Sequence, residues 1–310
     1  MISKTEFKQR RDKVLNFLEE ISKRDGKSYK YAIKSGEQKN YSNDVFYPFR
    51  ADSDFYYLTG FKEANAIAVL DPSSQNPYSM YVEAADPHHT IWEGHREGLE
   101  GVVKNFDVEM AFDIDKFKEE TYPNYKEQDS RNFVHALRSI KSNAEIELMQ
   151  KSADIAVQAH RMAKEVITPG IYEYEVEAKL SEVFRAQGAQ GWAYPSIVAS
   201  GENSCILHYI TNNEKIGKDD LILIDAGAEY EMYASDITRV HAASGKFSQE
   251  QQDLYDLVLE AQEKAITLIK PGNSFQEVND SVTITIGEGL KNLGYIKDQH
   301  DPNQIKKYYM

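Results

Sequence analysis

The sequence predicts a two-domain protein of the mixed α/β class. Its 310 residues exceed the size at which a single hydrophobic core usually stops growing. Up to about residue 115, short apolar runs such as Ala66–Leu70 and Tyr78–Val82 alternate with turn clusters, which is typical of a mixed α/β domain. Helical patterns follow from about residue 142. We therefore expect one domain over 1–142 and a second over 143–310.

Apolar residues at helical spacing mark the first helix of each domain. The opening helix, which Gly26 ends, buries Phe7, Val14, Phe17, Leu18 and Ile21. The helix from about Ser142 through Val166 is expected to bury Ile146, Met149, Ala153, Ile155 and Ala156.

The second domain contains an approximate internal repeat. Each copy is a helix, a Pro-Gly break and a second helix closed by a glycine, because proline cannot continue a helix and glycine supplies the turn. The first copy breaks at Pro169-Gly170 and closes at Gly188, and the second breaks at Pro271-Gly272 and closes at Gly294.

The two copies differ in the sequence after their closing glycines. The strands predicted after the first copy are Ser196–Ala199, Cys205–Ile210, Leu221–Asp225 and Tyr233–Val240. After Gly294 only sixteen residues remain, most of them polar or charged. If the repeat is real, we expect a second half-domain without its last strands.

Composition excludes several classes of partner. A formal charge of −14, with no basic stripe, argues against nucleic acid. No apolar stretch is long enough to span a membrane, and Met1–Lys13 has no secretory signal pattern. The single cysteine, Cys205, excludes an internal disulfide and a cysteine-rich metal cluster. A cytoplasmic location is expected.

Asp225 and Asp236 are the candidate metal ligands. Asp225 ends the apolar run Leu221–Ile224, where a lone buried carboxylate would be costly. If the two strands turn at Tyr230-Glu231, Asp225 and Asp236 face each other and could share one ion or bridge two. If the chain turns at Gly227 instead, the pair is an ordinary solvated surface feature.

Two further residues have both a structural and a functional interpretation. His208 lies in a short apolar segment, where a histidine is more often a hydrogen-bonded core residue than a donor to a tetrahedral intermediate. Trp92 lies in a polar stretch predicted as a loop, where it could be a packed anchor. Phosphate-binding loops, His-Glu-x-x-His and Gly-x-Ser-x-Gly do not occur, which disfavours kinases, zincins and serine hydrolases.

A series of motifs, in order, resembles bacterial Xaa-Pro aminopeptidase (aminopeptidase P) of the creatinase and prolidase group. In the second half they are Tyr194-Pro195-Ser196-Ile197-Val198, Gly201-Glu202-Asn203, Leu207-His208-Tyr209, Asp225-Ala226-Gly227-Ala228-Glu229-Tyr230 and Ser235-Asp236-Ile237-Thr238-Arg239. In the first half they are Tyr47-Pro48-Phe49-Arg50, Asp54-Phe55, Leu58-Thr59-Gly60-Phe61 and Ile91-Trp92-x-Gly94.

The resemblance implies a creatinase-like N-terminal domain followed by a pita-bread domain, itself a pseudo-duplicated fold. It implies removal of the N-terminal residue from peptides that have proline in second place. The implied site contains two metal ions, commonly Mn²⁺, held by two aspartates, one histidine and two glutamates. Asp225 would bind one ion and Asp236 would bridge both. His208 would be the catalytic histidine near the substrate. Tyr194 would be a substrate-side aromatic, and Trp92 would lie close to the site of a neighbouring subunit in a homo-oligomer.

The remaining family ligands would follow Tyr308-Tyr309-Met310, so the resemblance implies a C-terminally truncated chain with weak or absent metal binding and little or no activity. Cobalt or zinc could replace manganese. An inactive pita-bread fragment that serves as a binding or interaction module is the alternative from another class, and prolidase is the alternative within the class. Creatinase needs no metal, which the two aspartates argue against.

Overall fold

The computed structural model describes residues 1–118, 127–305 and 307, and the chain divides into two compact units. The first unit comprises Met1–Asp154 with Glu229–Ser235, and the second comprises Ile155–Ala228 with Asp236–Met310. The change of unit after Asp154 lies inside a helix, whereas residue 142 precedes that helix. The chain end at Tyr308-Tyr309-Met310 lies outside the described residues.

Helices and strands alternate along the first part of the chain. They are α1 Lys4–Asp25, β1 Tyr31–Lys34, β2 Asn40–Ser42, β3 Val45–Phe46, α2 Ser53–Thr59, β4 Ile67–Leu70, β5 Tyr78–Val82, α3 Pro87–Glu93, α4 Gly98–Phe106, β6 Met110–Asp113, α5 Glu127–Ser139 and α6 Asn143–Val166.

The later part begins and ends with helices. Its elements are α7 Glu173–Ala186, β7 Gly191–Trp192, β8 Ile197–Ser200, β9 Leu221–Ala226, β10 Ala228–Tyr230, β11 Tyr233–Ala234, β12 Ile237–Ala242, α8 Gln249–Leu268, α9 Phe275–Asn292 and α10 Pro302–Ile305. Among the helices of the described residues, none is long and apolar enough to cross a membrane.

The first unit is built around the sheet β1-β4-β5-β6. Its strands pair antiparallel except β5 and β6, which pair parallel. Helix α1 begins at Ser3, whose side chain accepts from the Glu6 amide at 3.2 Å, and it buries Val14, Leu18 and Ile21 in the same core as β4 and β5. The sequence prediction of this helix and these strands is confirmed.

The second unit contains the antiparallel sheet β12-β9-β8. Burial alternates along the central strand β9: Ile222, Ile224 and Ala226 are fully buried, whereas Asp225 is half-buried on the opposite face. Helices α8 and α9 pack against each other around a core of their own, which contains Leu257, Ala261, Ile286 and Leu290.

The internal repeat is confirmed by the backbone. The glycines of the two Pro-Gly breaks, Gly170 and Gly272, have φ angles of 98° and 96°, and the closing glycines, Gly188 and Gly294, have φ angles of 88° and 81°. After each closing glycine the next amide donates back across the helix end, from Ala189 to Phe184 O at 3.0 Å in one copy and from Tyr295 to Leu290 O at 2.9 Å in the other. Helices α7 and α9 therefore end in the same Schellman motif.

The structure corrects the sequence prediction of one strand and of part of one helix face. The strand expected over Tyr233–Val240 is divided into β11 and β12 around Ser235 and Asp236. The predicted buried face of α6 is wrong at Ile146 and Met149, which are 53% and 37% exposed, whereas Ile155 and Ala156 are buried as predicted. The polar residues Glu145 and Ser152 of this helix are buried as well. Each of these polar side chains has a hydrogen-bonding partner inside its own unit, which offsets the cost of burying it.

Candidate metal and catalytic site

Asp225 lies near the end of β9, with a strand on each side of it. In the register of the sheet its neighbours are Ile197 of β8 and Thr238 of β12. The prediction that Asp236 is the direct cross-strand partner of Asp225 is therefore wrong. Asp236 precedes β12 by one residue and lies two residues before Thr238, which places it on the same side of the ribbon as a diagonal neighbour of Asp225.

The position of the turn explains this difference. Tyr230 pairs with Tyr233, so the turn consists of Glu231 and Met232 and not of Tyr230 and Glu231. Both turn residues have positive φ angles, 50° and 72°, as a two-residue type I′ turn requires. Moving the turn by one residue shifts every cross-strand pair by two, and a shift of two preserves the face on which each side chain lies.

Tyr194 brings the two aspartates together. Its hydroxyl lies 2.5 Å from Asp225 Oδ1 and 2.9 Å from Asp236 Oδ1. The backbone next to it is fixed by a hydrogen bond from the Ala193 amide to the Gly227 carbonyl at 2.8 Å. The two carboxylates therefore lie within two hydrogen-bond lengths of each other, with the half-buried phenol between them.

The electrostatics of this group favour a cation. Burial, followed by the hydrogen bonds to Asp225 and Asp236, raises the pKa of the Tyr194 hydroxyl, so it remains a neutral phenol. A phenol has one proton and can donate it fully to only one carboxylate at a time. The second carboxylate then faces its like-charged neighbour, and a divalent ion would remove this repulsion. Two carboxylates are hard oxygen ligands of the kind that Mg²⁺, Mn²⁺ and related ions accept.

His160, on α6, supports the strand behind Asp225. Its Nε2 lies 3.0 Å from the carbonyl of Ala226, the residue that follows Asp225. Burial lowers the pKa of His160, so the imidazole is neutral and donates from Nε2. This hydrogen bond ties α6 to the end of β9.

Of the metal ligands that the resemblance implies, the part of the chain that the structure describes contains Asp225 and Asp236. No group of three or more His, Cys, Asp or Glu side chains is placed there to hold a metal ion.

His208 lies on an exposed turn and not in a strand. The strand predicted over Cys205–Ile210 is wrong, because Gly201–Cys205 forms a 3₁₀ turn and the chain bends again at Leu207 and His208. The interpretation of His208 as a hydrogen-bonded core residue is wrong for the same reason, since its side chain is exposed. Among the described residues, His208 shares no hydrogen bond with Tyr194 or the two aspartates.

Glu173 and Asn212 anchor the segment that carries His208, and sequence reasoning missed both. Glu173, at the start of α7, is fully buried and accepts hydrogen bonds from residues on both sides of His208. Asn212, with a φ of 48°, accepts from the Val198 amide at 2.9 Å and donates to Ser196 O at 2.8 Å. The signal in the sequence was weak, because a glutamate in the first turn of a helix is common for reasons of helix polarity alone.

Trp92 belongs to the first unit, on the short helix α3, and its side chain is 74% exposed. The loop predicted here is therefore wrong. So is the interpretation of Trp92 as a packed anchor, because a packed side chain would be buried.

Two family models match the chain. "Metallopeptidase family M24" matches residues 147–308, and "Aminopeptidase P, N-terminal domain" matches residues 7–134. A protein named Xaa-Pro aminopeptidase from Haemophilus influenzae is 36% identical over 342 aligned positions, which cover 100% of this chain and 78% of the relative.

Solved structures agree in fold. The structure of Pseudomonas aeruginosa aminopeptidase PepP superposes with a TM-score of 0.90 at 32% identity and covers 99% of this chain and 77% of its own. A zinc-substituted Escherichia coli aminopeptidase P in complex with product superposes with a TM-score of 0.85 at 31% identity, covering 95% and 75% respectively.

Proposed function

Because the chain belongs to metallopeptidase family M24 and carries the N-terminal domain of aminopeptidase P, we propose that it removes the first residue from peptides with proline in second place. Membership of this family makes it a metal-dependent aminopeptidase with a creatinase-like domain and a pita-bread domain. The observation that carries the proposal is the Tyr194 hydroxyl, which lies within hydrogen-bond distance of Asp225 and Asp236.

Asp225 and Asp236 are the residues that would hold the divalent ions, with Mn²⁺ the preferred ion. The zinc-substituted relative supports a divalent metal in the family, and the oxygen donors found here suit manganese at least as well as zinc. Bound metal would supply Lewis-acid chemistry, polarising the carbonyl before the proline and lowering the pKa of water. These two residues alone would leave most coordination positions to water, so the affinity that they provide by themselves should be low.

The proposal gives roles to three other residues. The neutral Tyr194 phenol orients both carboxylates and presents its ring to the peptide. His208, exposed and free to approach a ligand, would donate to the negative charge that develops on the carbonyl oxygen. The exposed indole of Trp92 suits a contact with a peptide held by a neighbouring copy, which fits a homo-oligomer. A single exposed cysteine suits a reducing, cytoplasmic environment.

The test uses two peptides that differ only in having proline or alanine in second place. We expect the purified chain with Mn²⁺ to release the first residue from the proline peptide in preference, slowly, and Asp225→Asn to abolish this release. Mn²⁺ binding is measured in parallel by calorimetry. Equal cleavage of both peptides, or unchanged Mn²⁺ binding when Asp225 and Asp236 are both changed to Asn, would contradict the proposal. Binding of the proline peptide without cleavage would indicate the binding-module alternative.

A further inference from the structure

Glu173 has an unusual environment for a carboxylate. It is fully buried in the second unit, at the first position of α7. Its Oε1 accepts from the Ser200 amide at 2.7 Å, from the Ser200 hydroxyl at 2.7 Å and from Asn203 Nδ2 at 3.3 Å. Its Oε2 accepts from the Tyr209 hydroxyl at 2.7 Å and from the Glu214 amide at 3.0 Å. The carboxylate thus accepts five hydrogen bonds.

The donors lie on both sides of His208 in the sequence. Ser200 and Asn203 precede it and bind one carboxylate oxygen, whereas Tyr209 and Glu214 follow it and bind the other. The two oxygens of a single carboxylate therefore clamp the two ends of the segment 200–214. His208 itself stands exposed within this clamped segment.

The charge of Glu173 strengthens the clamp, by which we mean its five hydrogen bonds to the segment 200–214. All five donors are neutral groups, so the buried charge is stabilised by hydrogen bonds alone. Burial would raise the pKa of Glu173, but the bonds from Ser200, Tyr209 and Glu214 lower it below its ordinary value. Burial and the bond to Glu173 raise the pKa of Tyr209 to about 12, so Tyr209 remains a donor at neutral pH.

Helix polarity does not explain this arrangement. An acidic residue in the first turn of α7 is favoured wherever it points, and Glu175 satisfies the same preference from the surface by accepting from the Tyr172 amide at 2.8 Å. Full burial and acceptance from residues 27 to 41 positions away are not needed for a helix cap.

We propose that Glu173 is a positioning residue whose carboxylate joins the two ends of the segment 200–214 and so fixes the place of His208. The proposal rests on the proposed function for the role it gives to His208, but the clamp itself can be tested without catalysis.

The sequence provides its own probe. Cys205 is the single cysteine, is exposed and lies between Asn203 and His208, so a nitroxide spin label attached to it reports the mobility of this segment in the natural chain. In Glu173→Gln, one oxygen becomes an NH₂ group, which cannot accept from the donors on its side. We expect the mobile fraction of the spectrum to rise about two-fold or more.

Glu175→Gln is the matched control. It removes the same charge from the same helical turn, but glutamine still accepts from the Tyr172 amide, so the spectrum should not change. If Glu173→Gln does not fold, Tyr209→Phe removes one donor and leaves the carboxylate in place, and a smaller rise in mobility is expected. An unchanged spectrum in Glu173→Gln, or in Tyr209→Phe if Glu173→Gln does not fold, would overturn the proposal.

Kinetics separate positioning from general stability. With a proline peptide, Glu173→Gln should lower kcat in the natural background and have no further effect in a His208→Ala background. A reduction of equal size in both backgrounds would contradict action through His208. If the label responds but the natural chain cleaves no proline peptide, the proposed function fails while the clamp stands.

Discussion

Asp225 and Asp236 share the single phenol proton of Tyr194, and a cation would offset the repulsion between their like charges. We expect Mn²⁺ to raise the thermal midpoint of the chain, because an ion that binds only the folded state stabilises it by mass action. Asp225→Asn should remove this shift and leave the metal-free chain as stable as before or more so. Differential scanning calorimetry with and without Mn²⁺ measures both effects.

Asp219→Asn serves as the control, since Asp219 is an exposed carboxylate on the turn before β9. It should retain the full Mn²⁺ shift. A metal-free Asp225→Asn chain that is clearly less stable than the natural one would show that the carboxylate is mainly structural.

His241 gives the stability a predictable pH dependence. Burial, then the positive charges of Lys164 and Arg239, lowers its pKa from the ordinary value of 6.5 to about 4. Between these two values the unfolded chain binds more protons than the folded chain, so the free energy of unfolding falls as the pH falls from 6.5 to about 4. His241→Phe should make this fall smaller, as measured by urea unfolding at pH 7 and pH 5.

The exposed His300 provides a comparison, because its side chain is in contact with solvent in the folded chain as well. His300→Phe should preserve the natural difference between pH 7 and pH 5. The hypothesis about His241 is wrong if His241→Phe also preserves the difference in the free energy of unfolding between pH 7 and pH 5.

At the scale of elements, the shared ends of α7 and α9 depend on glycine. Gly188 has a φ of 88°, and no heavy atom lies within 4 Å of the position that a Cβ would occupy, so adding a methyl group causes backbone strain without a clash. We expect Gly188→Ala to lower the free energy of unfolding by about 1–2 kcal/mol, the cost of left-handed backbone for an L-residue. Chemical denaturation measures this change.

Gly191, three residues further on, has equally open surroundings and lacks the positive φ. Gly191→Ala should therefore leave the stability unchanged or improve it slightly. Equal losses in the two variants would mean that something other than the φ angle is responsible.

Local chemistry explains which elements could be predicted from the sequence. Helix ends are marked by backbone properties of single residues, at Gly26, at the two Pro-Gly breaks and at the closing glycines. The structure places the ends of α1, α7 and α9 at such glycines. The turn at Glu231-Met232 has neither glycine nor asparagine, so the sequence carried no signal for its position. Without the position of the turn, the cross-strand register of the strands that carry the two aspartates could not be derived.

Helix α6 shows a second limit. Hydrophobic periodicity assumes that polar residues face solvent. On this helix Glu145 accepts from the Tyr233 hydroxyl at 2.9 Å, and Ser152 donates to Ser235 at 3.0 Å. These partners lie more than 80 positions away, so only the folded chain shows that these two polar residues are buried together with Leu148 and Ile155.

On the scale of the whole molecule, the segment 229–235 belongs to the first unit although its sequence lies in the second half. There the Tyr233 hydroxyl donates a hydrogen bond to Glu145, and Arg10 Nη2 forms an ion pair with the same carboxylate at 3.2 Å. We expect Tyr233→Phe to lower the free energy of unfolding by about 1–3 kcal/mol, because it removes a hydrogen bond to a buried charged acceptor.

Tyr230 is the cross-strand partner of Tyr233 and offers the same substitution in the same hairpin. Tyr230→Phe should change the stability by less than about 0.5 kcal/mol, as expected where no buried network is broken. If both variants lose the same amount, the bond to Glu145 does not explain the effect.

The return of residues 229–235 to the first unit has a consequence for how such a protein can evolve. The chain passes from one unit to the other after Asp154, after Ala228 and after Ser235, so no single position divides it into two complete parts. A recombination event after Asp154 would separate the hairpin from Glu145, and one after Ala228 or Ser235 would separate it from β9 or β12. The two halves are therefore inherited together, even though each has its own core and its own family signature.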